Sequence, residues 1–391
     1  MRHRRIPFAL LLFLAAFAGP ALSQQPEPPP TPAPVAAPAP TSSAPEKEKK
    51  PSPGPVEVKV GENVRFRFGI LLQGQADWQE KPDGGTAQNL LLRRVQLMVG
   101  GQLTKDLFFL FQTDNPRLGA VNAQGSKVIS SGFQVVDAVL EWRLAKAFNL
   151  WGGMFYVPTS RDSLKGSSSE FLLDVTPYAY LSTAALQGTG GRDVGFQARG
   201  YFLDDRLEYR VGVFQGLRDP ASKNAPRTVA RLQYDFFDKE VYNFVTYSGG
   251  NLGKRRILAV GAAYDTQKDY HGFTADVFAD LPTPFGSVIG SALYEHLDGG
   301  TFVPVALAKS DVLCLEAGAF LSGWKVGPWV RWERRDFAAP NDARGESHVL
   351  VGLNYYVFGN NLNLKAAWGR IHPKSGPDLD QFTVQLQAWY F

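Results

Sequence analysis

Short segments in which apolar and polar side chains alternate recur from residue 56 to the C terminus. In the first segment the two faces are opposite in character, with Phe66, Phe68, Ile70, Leu72, Ala76 and Trp78 on one and Arg65, Arg67, Gln73, Gln75 and Asp77 on the other. A period of two residues is typical of a β-strand with one apolar and one polar face. Segments of about 10 residues are long enough to cross hydrocarbon at a tilt, whereas strands of soluble sandwiches are usually shorter. The pattern predicts an all-β protein, a transmembrane antiparallel β-barrel.

The alternation predicts 16 strands, and an even number returns both chain ends to one side of the membrane. They lie at residues 65–78, 90–103, 107–114, 132–142, 148–157, 193–202, 207–215, 228–236, 257–265, 270–280, 287–297, 311–321, 326–337, 347–358, 361–369 and 380–391. Short connections at 104–106, 143–147 and 203–206 are typical of periplasmic turns, and long ones at 115–131 and 158–192 of outer loops. The stretch from Phe237 to Arg256 leaves the count open: either it folds over the rim, or the count is 18.

Residues 1–23 predict a secretory signal peptide, because an arginine-rich start precedes an apolar stretch, Gly19-Pro20 and small residues. An uncleaved membrane anchor is the alternative, but the apolar stretch is shorter than the about 20 residues that a spanning helix needs. Residues 24–55 are rich in proline and cannot bury a core, so they predict a disordered periplasmic linker. Residues 56–391 then form the barrel domain. The linker is interpreted as a passive spacer, and contact with the cell wall is the alternative.

Composition excludes several other functions. The formal charge of +4 falls close to zero once the signal peptide is removed, so nucleic-acid binding has no electrostatic support. The single cysteine, Cys314, excludes an internal disulfide and cysteine-based zinc motifs. The histidines of the mature chain are too scattered for a metal motif: His271, His296, His348 and His372. The sequence therefore predicts no metal, no cofactor, no catalytic residue and no enzyme activity.

Several short motifs occur in a characteristic order: Leu92-Arg93-Arg94, Asp137-Ala138-Val139-Leu140-Glu141-Trp142, Tyr156-Val157-Pro158, Gly191-Arg192-Asp193-Val194-Gly195-Phe196-Gln197, Gly212-Val213-Phe214-Gln215-Gly216, Asp280-Leu281-Pro282 and Asp298-Gly299-Gly300. Through them the sequence from about Val60 to Phe391 resembles the phosphate-selective porin O/P family. The resemblance implies a 16-stranded barrel of the Gram-negative outer membrane, commonly a homotrimer, that passes small anionic or neutral solutes. Outer-membrane lipid and lipopolysaccharide are its expected surroundings.

The connection from Pro158 to Arg192 is too long for a passive loop, and by analogy with other porins it is interpreted as an inward-folded constriction loop. Arg161 and Lys165 would present positive charge to an anion, and the counter-charges would be Asp162, Glu170 and Asp174. Ser167 and Glu170 have capping-box spacing, which predicts a short helix leading into Phe171. The alternative is a surface lid whose charges meet water or lipopolysaccharide.

The polar faces of the predicted strands carry basic residues that would line the lumen: Arg65, Arg67, Arg94, Arg199, Arg210, Arg231, Arg331, Arg335 and Lys365. Acidic residues share these faces, among them Asp137, Glu208 and Glu316. Either the cations form a track for anions, or they pair with the acids and stiffen the wall without selecting. Trp389 and Phe391 fall on the polar face of the last strand, which indicates a bulge or a loose terminal girdle.

The combined pattern predicts an outer-membrane porin, a water-filled channel for passive diffusion of small hydrophilic solutes. Whether it has a weak preference for anions such as phosphate is left open by the mixed charges of the lumen. Two other classes stay open: a barrel enzyme of the lipase or protease type, and a structural barrel that anchors a tail reaching the cell wall. Ion conductance separates the channel from both.

Overall fold

The sheet of this protein closes on itself. The structure is a computed structural model that describes residues 56–121, 125–129, 132–221, 223–241 and 246–391. Within them, 16 antiparallel strands, β2 to β17, follow one another in chain order, and β17 pairs back onto β2. A closed sheet leaves no backbone edge unpaired, which is the requirement for strands inside lipid. The predicted barrel fold is confirmed.

The strands β1 to β17 have the bounds Val56–Val60, Val64–Glu80, Thr86–Gln102, Leu107–Asp114, Gln134–Ala145, Phe148–Tyr156, Arg192–Phe202, Leu207–Phe214, Arg227–Asp235, Ile257–Gln267, Tyr270–Thr283, Gly286–Asp298, Ser310–Leu321, Val326–Phe337, Glu346–Tyr356, Leu362–Pro373 and Leu379–Tyr390. Helical structure in the described residues is limited to the helix α1 at Leu181–Ala185 and the 3₁₀ turns Asp162–Leu164 and Asp342–Arg344. None of these helices has the length or the apolar character needed to cross a membrane.

Each of the 16 predicted strands corresponds to one observed strand, with shifts of a few residues at the ends. The alternative count of 18 is wrong, because the described residues between Asp235 and Ile257 form no strand. The short strand β1 was not predicted, since five residues show too little alternation. β1 pairs with the start of β2, from Val56 opposite Phe68 onward, where the pairing of β17 with β2 has ended.

The distribution of side chains is the reverse of that in a soluble protein. Large apolar residues are exposed on the outer face, for example Phe196, Val351 and Leu386. Arginines such as Arg199 and Arg210 are buried on the inner face. A soluble domain places apolar residues inside and almost never buries so many charges. The outer face therefore faces lipid and the inner face is the wall of the lumen.

Placing a charge on the outer face is expected to destabilise the barrel. Val351 lies midway along β15 and points outward, so Val351→Arg should lower the free energy of unfolding in lipid vesicles by about 2 to 4 kcal/mol. Urea titration followed by tryptophan fluorescence measures the change. Val305→Arg, at an exposed connection, is the matched control; equal stability of both variants would contradict the assignment of the outer face.

The two ends of the barrel differ in their connections. At the end where β17 finishes, here called the C-terminal end, the connections are short, such as 103–106, 146–147 and 284–285, apart from 236–256. At the opposite end several are long, including 115–133 and 157–191. Residues 158–191 are here called the constriction loop, and residues 236–256 the second segment. Both contribute described residues that lie in the lumen, as the contacts described below show.

Candidate functional site

The constriction loop lies inside the barrel, packed against its wall. Arg161, Asp162, Lys165 and Glu170 are all nearly buried, with 2%, 6%, 2% and 2% of their surface exposed. The inward folding predicted from the sequence is thus observed. Contact of these four residues with a permeating solute stays a prediction.

Lys165 is the centre of a buried charge cluster. Its Nζ lies 2.6 Å from Asp162 Oδ1, 2.8 Å from Glu316 Oε2 on β13 and 3.8 Å from Glu170 Oε1. Arg331 on β14 completes the cluster, with Nη2 at 2.6 Å from Glu316 Oε1. Burial alone would lower the pKa of Lys165, but the surrounding carboxylates hold it well above its ordinary value. Lys165 is therefore a permanent cation that fixes the loop to the wall.

Arg161 makes a second anchor. Its Nη1 and Nη2 donate to Glu240 Oε2 and Oε1 at 2.6 and 3.1 Å. The guanidinium lies 4.7 Å from the ring centre of Tyr247 and 4.1 Å from that of Phe278. Its backbone N–H donates to Asp276 Oδ2 at 2.9 Å. The sequence predicted that the positive charge of Arg161 faces a permeating anion. In the structure this charge is bound by one carboxylate and contacts two aromatic rings.

Asp174 ties the loop to the opposite side of the barrel through a β-bulge. The register of β2 and β3 shifts at Gln73 and Gly74, so that Arg93 is an extra residue. Because of the bulge both Arg93 and Arg94 reach Asp174, each at 2.8 Å. Arg331 donates to the Asp174 carbonyl oxygen at 2.6 Å. One residue of the loop thus joins β3 to β14 across the lumen.

The Asp174 anchor is expected to persist in mild acid. Burial would raise the pKa of Asp174, but Arg93 and Arg94 hold it well below the usual aspartate range. Its contribution to stability is present above the ordinary value of about 3.9 and is lost only as pH falls through the lowered value. The difference in unfolding free energy between wild type and Asp174→Asn should stay constant from about pH 8 to pH 5 and shrink below about pH 4. Loss of the difference already between pH 7 and pH 5 would contradict this assignment.

Side chains of the wall satisfy the backbone carbonyls of the loop. Lys365 Nζ donates to the carbonyls of Glu170 and Leu172 at 2.6 and 2.7 Å, and Gln387 Nε2 donates to that of Ser168 at 2.8 Å. The predicted short helix before Phe171 is wrong. Donors on the wall bind the backbone carbonyls of this stretch, so the carbonyls are not used in a helix. The Glu170 side chain lies beside Lys165 and does not cap a helix.

A cavity of about 150 Å³ lies between the tip of the constriction loop and the wall formed by β17 and β2 to β7. Its lining combines amides, aromatic rings and one ion pair: Leu71, Gln96, Met98, Leu110, Gln112, Asp137, Tyr156, Gly166, Ser167, Ser168, Arg192, Thr246, Trp389 and Phe391. Arg192 Nη2 lies 3.0 Å from Asp137 Oδ2. The pairing of β17 with β2 is free of register shifts, so Trp389 and Phe391 face the lumen without the bulge considered from the sequence.

The sequence model described as phosphate-selective porin O and P matches residues 64–269, more than half of the chain. The chain belongs to the phosphate-selective porin O and P family. The predicted resemblance is confirmed, and the protein is an outer-membrane porin of a Gram-negative bacterium. A comparison with curated sequences gives no matching relative.

Solved structures with a similar fold are also outer-membrane barrels. Salmonella typhi OmpF, in complex with daunomycin, is 17% identical, with 86% of this chain and 100% of that chain covered and a TM-score of 0.59. The channel DcaP of Acinetobacter baumannii is 11% identical, with 85% and 99% covered and a TM-score of 0.54. OmpT of Vibrio cholerae in its trimer form is 12% identical, with 84% and 100% covered and a TM-score of 0.52. At these identities the likeness concerns the fold.

In this member of the porin O and P family, most of the basic residues predicted to line the lumen lie on the inner wall beside acids. Arg199 and Arg210 both pair with Glu208, and Arg231 pairs with Asp276 at 2.6 Å. Arg335 is bound by the Ser310 hydroxyl. Arg65 and Arg67 are on the same side of β2 but exposed, near the C-terminal end of the barrel. The pairing favours a stiff, largely neutral wall over a free track of cations.

Sequence reasoning missed three parts of this site. Arg93 was not among the residues predicted to line the lumen, and the bulge brings it inside. Glu240 and Tyr247 lie in the stretch whose strand count was open. The available signal for them was the length of 236–256 at an end where the neighbouring turns are short.

Proposed function

We propose that this porin is a passive channel in which small hydrophilic solutes cross the lumen through the cavity beside the loop tip. The supporting observation is the polar-lined cavity that remains between the loop tip and the wall of β17 and β2 to β7. The loop beside it is fixed by hydrogen bonds to β11 and β14 and by ion pairs to β13 and β3. Gln96 and Gln112 supply hydrogen-bond donors and acceptors to a solute that has lost part of its hydration shell. The solute class is small neutral or weakly anionic molecules.

Anion preference is expected to be weak. Among the described residues that line the cavity, the one cation is Arg192, and it is paired with Asp137. Charge at a narrow point acts at low effective dielectric, so a paired charge selects far less than a free one. In a salt gradient the reversal potential should lie close to zero and be insensitive to added phosphate. A large shift on phosphate addition would contradict this selectivity.

The remaining properties are also proposals. Residues 1–23 direct export, the barrel assembles as a homotrimer in lipid and lipopolysaccharide, and the protein has no enzyme activity. The named trimer form of the Vibrio cholerae protein supports the trimer by fold analogy alone. In the part of the chain that the structure describes, no cluster of side chains could hold a metal ion.

The predicted linker lies outside the described residues. Deleting residues 26–55 should leave conductance unchanged, because a proline-rich polar segment contributes nothing to a packed core. The measurement is the single-channel current of the deleted and full mature chains in planar bilayers. A chain that no longer assembles or conducts would show that the segment belongs to the channel.

A further inference from the structure

The constriction loop meets a segment that enters the lumen from the other end of the barrel. Of the second segment, residues 236–241 and 246–256 are described. The Tyr247 backbone N–H donates to the Leu164 carbonyl at 2.8 Å, and the Gly166 N–H donates to the Tyr247 carbonyl at 2.9 Å. These bonds form a parallel bridge between Lys165 and Tyr247. Two connections from opposite ends thus share a short backbone ladder.

Buried side chains reinforce the ladder. Glu240, which is 1% exposed, binds both terminal nitrogens of Arg161. Arg161 Nη2 also donates to the Ser248 carbonyl at 3.3 Å. The Gly249 N–H donates to Ser169 Oγ at 3.2 Å. The contact therefore holds the loop on both sides of its tip.

The two segments are packed to van der Waals contact. A Cβ added at Gly249 would lie 2.9 Å from Glu170 Cα, and one at Gly166 would lie 2.9 Å from Thr246 Oγ1. Real Cβ atoms do not approach backbone as closely as the one at Gly249 would, so alanine at Gly249 would push the segments apart. A Cβ at Gly166 would require the Thr246 side chain to move. Neither glycine has a positive φ, so the reason for glycine here is the close approach of the two chains.

The second segment is itself fixed to the wall. The Glu240 N–H donates to Asp235 Oδ2 at 2.7 Å, and the Tyr247 hydroxyl donates to Glu208. Farther along, the Asn251 N–H donates to Asp280 Oδ2 at 2.6 Å. The described residues of the segment are thus attached to β8, β9 and β11 and can support the constriction loop.

We propose that Glu240 and Tyr247 are positioning residues of the channel, which reach from the C-terminal end of the barrel and hold the constriction loop in place. They fix Arg161 and the backbone around Lys165, and thereby place Gly166, Ser167 and Ser168 at the edge of the cavity. Thr246, next to Tyr247, lines the same cavity. The width of the passage is set jointly by connections from the two ends. This inference rests on the proposed passage beside the loop tip.

The test uses Glu240→Gln, which keeps the shape of the side chain and removes its charge. Losing a charge-assisted, bidentate pair should raise the population of released loop by about tenfold or more. Hydrogen exchange of the folded barrel in detergent should then be faster by that factor across residues 161–169 and unchanged in the strands. In planar bilayers the current should fluctuate between levels where wild type is steady. The control is Lys239→Gln, which removes a surface pair with Asp204 from the same segment and should behave as wild type.

Gly249→Ala is a second, uncharged variant that pushes the segments apart and should show the same faster exchange. If Glu240→Gln does not fold, as judged by heat-modifiable mobility, the hydrogen exchange of Gly249→Ala decides whether the second segment holds the loop. A folded Glu240→Gln or Gly249→Ala protein with wild-type exchange in 161–169 overturns the proposal. A wild-type barrel that does not conduct contradicts the proposed function instead, and the exchange result still decides whether the two segments hold each other.

Discussion

Lys165→Glu is expected to release the tip of the constriction loop from the wall and to raise the single-channel conductance. The substitution places a fourth carboxylate among Asp162, Glu170 and Glu316, with Arg331 as the nearby cation that remains. Breaking a buried pair in this way costs about 3 to 5 kcal/mol. The loop should leave the cluster, because ion pairs and side-chain hydrogen bonds, and not strand pairing, join it to the wall.

The control for this charge reversal is Lys254→Glu. Lys254 is exposed in the second segment, and its replacement by Glu changes the charge by the same amount as Lys165→Glu does. Recordings in planar bilayers at one salt concentration should show a larger current for Lys165→Glu and an unchanged current for Lys254→Glu. Equal currents for wild type and Lys165→Glu would mean that the loop does not limit flow.

Gln112→Trp is expected to reduce the conductance to a small fraction of the wild-type value. Gln112 is on the inner face of β4 and lines the cavity beside the loop tip. A bulky side chain there narrows the passage directly and replaces an amide that can bind a partly dehydrated solute. Trp is tolerated in the barrel because the lumen already contains buried aromatic rings such as Trp151.

Thr113→Trp provides a matched control, since Thr113 is the next residue of β4 and points to the outer face. The two variants add the same ring on opposite sides of one strand. We expect a near-complete loss of current for the inner variant and wild-type current for the outer one. A similar current in both would place the path of ions elsewhere in the lumen.

The barrel could be predicted from the sequence because each strand carries its own evidence. Alternation over segments such as Leu379–Tyr390 fixes which face is polar, and an even number of such segments agrees with a closed single-chain barrel. Local departures from alternation are less visible. The bulge that brings Arg93 inside consists of one extra residue on β3, and two adjacent arginines look the same in sequence with or without it.

The site was harder to predict because its contacts join distant parts of the chain. Arg161 and Glu240 are 79 residues apart, and Lys165 and Glu316 are 151 apart. The sequence indicated that the loop folds inward and that Asp162 and Glu170 are counter-charges. It did not indicate that the cations of the loop face the wall, since many acids share the lumenal faces and no local pattern selects one partner.

The most direct test for a passage through the lumen is the single-channel current of the purified wild-type protein in planar bilayers. We expect discrete, steady conductance steps whose reversal potential in a salt gradient lies close to zero. Insertion of folded, heat-modifiable protein without conductance steps would contradict the claim that a passage remains beside the constriction loop.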